Sequence, residues 1–98
     1  MDKYKEQVDE LKEEAIYDYT DKFINLANEI CKSDNSGAVG VAIRFAAARY
    51  SAFEATLQTN NLIEDKDKHL EFFTNVFNKM LQKNLDDYIM IQLQDKTG

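Results

Sequence analysis

The amino-acid sequence predicts an all-α chain: a three-helix, antiparallel, bundle-like domain built around a central apolar helix. Three observations predict it. No proline and only three glycines occur among 98 residues, so nothing forces frequent turns and few, long elements are expected. Over long stretches apolar residues recur at steps of three and four, the helical period. One stretch, about Ala38 to Gln58, is apolar nearly all the way round, a pattern that a helix carries when other helices cover it.

The first helix is expected over about residues 3–32. Val8, Leu11, Ala15 or Ile16, Tyr19, Phe23, Leu26 or Ala27, and Ile30 form one apolar stripe, with acids and lysines between them. Ser33-Asp34-Asn35-Ser36-Gly37 combines residues that bond their own backbone with one that tolerates positive φ, and so ends the helix.

The second helix is expected over about 38–58, capped by Ser36 or Asn35. It has two stripes: Val39, Ile43, Ala46, Tyr50, Phe53, Leu57 and Val41, Phe45, Ala48, Ala52, Ala55. Only Arg44, Ser51 and Gln58 make a polar line, so both faces are expected to be covered, with the alanines permitting close helix approach. The third helix is expected over about 62–93. Asn61 with Glu64 resembles a capping box, and a start near Asp65 is equally compatible. Its stripe runs Leu70, Phe73, Val76 or Phe77, Met80 or Leu81, Leu85 or Asn84, and Tyr88, and Ile89, Ile91 and Leu93 extend it toward a frayed end at Asp95 to Gly98.

Length and composition fit one domain over residues 1–98 with an ordinary apolar fraction of 44%. Charge is uneven. Residues 1–34 hold ten acids against five lysines, 35–60 hold Arg44 and Arg49 against Glu54, and 61–98 hold seven acids against five lysines, for a net of −6. An acidic surface repels phosphate backbones and no basic cluster offsets it, so nucleic acid is not an expected partner. Arg44, Arg49 and Glu54 interrupt the most apolar stretch, so no membrane span is expected. The opening residues lack the apolar run of a secretory signal, and Cys31 has no second cysteine to pair with. The chain therefore reads as cytoplasmic.

At about 1.5 Å per residue, the first and third helices each reach ~40 Å and the central one ~30 Å. Something overhangs. Val8, Leu11 and Ile16 then need another partner, supplied by a homodimer or by a break near Thr20-Asp21 that folds the segment back. Self-association into a dimer is the expectation.

Candidate chemistry is sparse. Arg49 lies inside the apolar run Ala46 to Phe53, so a buried guanidinium with Glu29, Asp86 or Asp87 as its structural ion-pair partner is expected. Alternatively, Arg49 is an anion contact in a small-ligand pocket between the second and third helices lined by Tyr50, Phe53, Phe73 and Phe77. Asp86 and Asp87 are adjacent, so they point about 100° apart and do not clasp one ion. His69 has no second histidine at metal-binding spacing and reads as solvated, and Cys31 reads as a small packed residue. Gly37-Ala38-Val39-Gly40 lacks the pattern of a phosphate loop. No nucleophile, base and orienting acid assemble, so the reading is non-catalytic, without cofactor or metal.

Three strings, Phe23-Ile24-Asn25-Leu26-Ala27-Asn28-Glu29, Ala46-Ala47-Ala48-Arg49-Tyr50-Ser51-Ala52-Phe53 and Asn84-Leu85-Asp86-Asp87-Tyr88-Ile89, resemble a family of short bacterial proteins catalogued only as a domain of unknown function. The likeness covers about residues 17–89. It implies a bacterial, cytosolic, compact helical domain with no activity or cofactor to carry over; the acidic stretch before about residue 16 is longer than the family pattern. The functional expectation is a non-catalytic helical interaction or self-assembly module, with the small-ligand binder as its alternative.

Overall fold

A computed structural model describes residues 13–97. Three helices make up the chain there: α1, Glu13–Cys31; α2, Ala38–Thr56; and α3, Leu62–Thr97. No strand occurs among the described residues. The chain is all-α, as its periodicity requires. The chain divides into two compact units, Met1–Glu54 and Ala55–Gly98, with the division inside the last turn of α2.

In the first unit, Glu13 and Glu14 occupy the first turn of α1, where carboxylates complement the positive end of the helix dipole. The helix runs unbroken through Thr20, whose hydroxyl donates to the Ile16 carbonyl at 2.8 Å. The break considered at Thr20-Asp21 is thus absent, because Thr20 satisfies itself against the preceding turn. Val8 and Leu11 lie outside the described residues.

After Cys31 the chain tightens, with the N–H groups of Lys32, Ser33 and Asp34 donating to the carbonyls of Glu29, Ile30 and Cys31. The Ser36 N–H then donates to Asp34 Oδ1 at 2.9 Å, and Ser36 Oγ accepts from the Ala38 N–H at 3.2 Å. Ser36 thus satisfies the first N–H of α2, as expected of it, but from one residue outside the N-cap position, which Gly37 occupies with its carbonyl accepting the Gly40 N–H. Gly37 carries φ +94°, a backbone state that side chains with a Cβ seldom adopt.

The second unit opens with the end of α2 and a short turn. The Thr59 hydroxyl donates to Asp65 Oδ2 at 2.6 Å and accepts the Asn61 N–H at 3.0 Å. Thr59 and Asp65 thus clip the start of α3, where the sequence pointed to Asn61 with Glu64. The third helix begins where expected and runs on to Thr97. The expected fraying from Asp95 does not occur there, since no helix breaker precedes Gly98 and Lys96 favours the last turn.

Burial is scarce. Among the described residues only Ala55 and His69 are buried, at 4% and 5% exposure. Ala15, Ile16 and Ala27 of α1 are half-buried, as are Val39, Gly40 and Ile43 of α2. On α3, Asp65, Phe72, Phe73 and Val76 are half-buried around His69, a stripe with helical spacing confined to the first half of the helix. From Phe77 to Lys96 every residue is exposed.

Candidate functional site

The expected central role of α2 holds only in part. Its large-residue stripe is half-buried at Val39 and Ile43 and exposed at Tyr50, Phe53 and Leu57. On the other stripe Val41 and Phe45 are exposed. The chain's own helices do not cover both faces.

Arg49, expected to be buried, is exposed. Its guanidinium lies 5.0 Å from the centre of the Phe45 ring, so a cation–π contact, one turn back along the same helix, supports it without a desolvated carboxylate. Of its proposed acidic partners, Glu29 pairs with Lys32 at 3.0 Å and Asp87 with Lys83 at 3.5 Å. Both are solvent-exposed local contacts, the first between the end of α1 and the turn after it and the second within α3, of the kind that adds ~0.5 kcal/mol or less. Asp86 is exposed.

The residues proposed to line a ligand pocket fall in both units. Tyr50 and Phe53, their ring centres 5.9 Å apart, belong with Arg49 to the first. Phe73 and Phe77 belong to the second, Phe73 half-buried in an edge-to-face pair with Phe72 at 5.2 Å and Phe77 exposed.

Two single residues depart from expectation. His69 is buried where a solvated imidazole was expected, because it lies on the same stripe as Phe72, Phe73 and Val76. Its Nδ1 has no hydrogen-bond partner, a condition that costs ~1–3 kcal/mol. Cys31 is exposed where a packed residue was expected, since α1 ends there. No group of three potential metal ligands occurs among the described residues.

What stands out is the distal half of α3. Phe77, Met80, Leu81, Leu85, Tyr88, Ile89, Met90 and Ile91 are all between 45% and 67% exposed. At ~100° per residue, Tyr88, Ile89, Met90 and Ile91 point to four different sides of the helix. A segment apolar on all sides belongs inside an assembly of helices. Each of the other two helices has 19 residues against 36 in α3. Sequence periodicity found the Phe77 to Tyr88 stripe and carried it on through Ile89, Ile91 and Leu93; the cue it passed over is that Tyr88 to Ile91 are apolar on all sides.

Helices with this little enclosed core, one of them carrying a bare apolar extension, define a small all-α protein that presents hydrophobic surface outward. The chain belongs to the family described as Protein of unknown function (DUF3144), which matches residues 16–89. That span includes all but the first three residues of α1 and most of the exposed part of α3, and it leaves the acidic stretch before residue 16 outside, as the resemblance implied. Comparison with curated proteins and with solved structures gives no match. No helix among the described residues is long and apolar enough to cross a membrane.

Proposed function

We propose that this protein is a non-catalytic helical module that acts through protein contacts, with self-association its primary mode. One observation carries the reading: the described helices bury only Ala55 and His69 and leave Phe, Leu, Ile and Met side chains exposed along their length. A folded domain of this size encloses ~60–70% of the surface that its unfolded chain exposes. Helices without that enclosure gain their hydrophobic stabilisation by docking on other chains.

A thermal melt followed by circular dichroism over a hundredfold range of protein concentration tests this reading. Folding coupled to association makes the midpoint rise with concentration. A cooperative melt with a midpoint independent of concentration would overturn it.

A further inference from the structure

We draw no further inference here: the strongest candidate, the exposed apolar surface on the distal half of α3 between Phe77 and Ile91, points to several sides of the helix, and nothing in the structure shows what covers it.

Discussion

Truncating Leu85 to alanine separates the two roles a leucine can have on this helix. Leu85 is 52% exposed, so within the chain it has little packing to lose, and alanine is the stronger helix former. If the residue is covered in a dimer, the change removes ~1–2 kcal/mol of apolar burial per chain. Two copies contribute, giving about 2–4 kcal/mol per dimer. The dissociation constant should therefore rise by about 30-fold to several hundredfold. Sedimentation equilibrium measures the constant, and far-ultraviolet circular dichroism at concentrations where both proteins are assembled measures helix content. The expected pattern is weakened association with unchanged helicity. An unchanged dissociation constant would refute the reading that the apolar segment of α3 belongs inside the assembly, and helicity lost from the assembled variant would refute the claim that Leu85 is free of packing within its own chain.

Other outcomes follow from single residues. Gly37→Ala should destabilise the fold by about 1 kcal/mol through backbone strain, since φ is +94° although nothing lies within 4 Å of the added carbon. Gly40→Ala, inside α2 with its added carbon 3.7 Å from Arg44 Nη1, should instead stabilise by ~0.5–1 kcal/mol; chemical denaturation of the two variants reads the opposite signs. Replacing His69, buried with an unpartnered Nδ1, by leucine should add ~1 kcal/mol and raise the melting midpoint by ~4–8 °C. The Ser36 hydroxyl and N–H hold the Asp34 carboxyl below the ordinary aspartate range. A carboxyl whose value is depressed on folding gives stability that is fully present above its unfolded value and is lost as pH falls through the folded one. Carboxyl-detected NMR titration should find Asp34 among the most acidic aspartates, and Asp34→Asn should remove that part of the acid sensitivity.

The helices were legible because their signals are local. The Ser33 to Gly37 break, the Ser36 hydroxyl at the start of α2 and the start of α3 at Leu62 all rest on residues within a few positions of one another. What the sequence concealed depends on coverage. Arg49 inside an apolar run looked buried, but periodicity states only which residues share a face, not whether anything lies over that face. His69 was misplaced for the same reason: one histidine among charged neighbours reads as solvated unless its spacing to Phe72, Phe73 and Val76 is weighed first. Length arithmetic anticipated a long third helix, and α3 runs from Leu62 to Thr97, a few residues past the boundary near residue 93 that periodicity set. Coverage by another molecule leaves no mark in a single sequence beyond an excess of apolar surface.

The central claim, that these helices complete their core with a second copy, is tested most directly by the mass of the unmodified protein in solution. Sedimentation velocity at micromolar concentration should show a species of twice the 11.4 kDa chain mass, giving way to the single chain only on dilution. A folded species of 11.4 kDa throughout the micromolar range would contradict it.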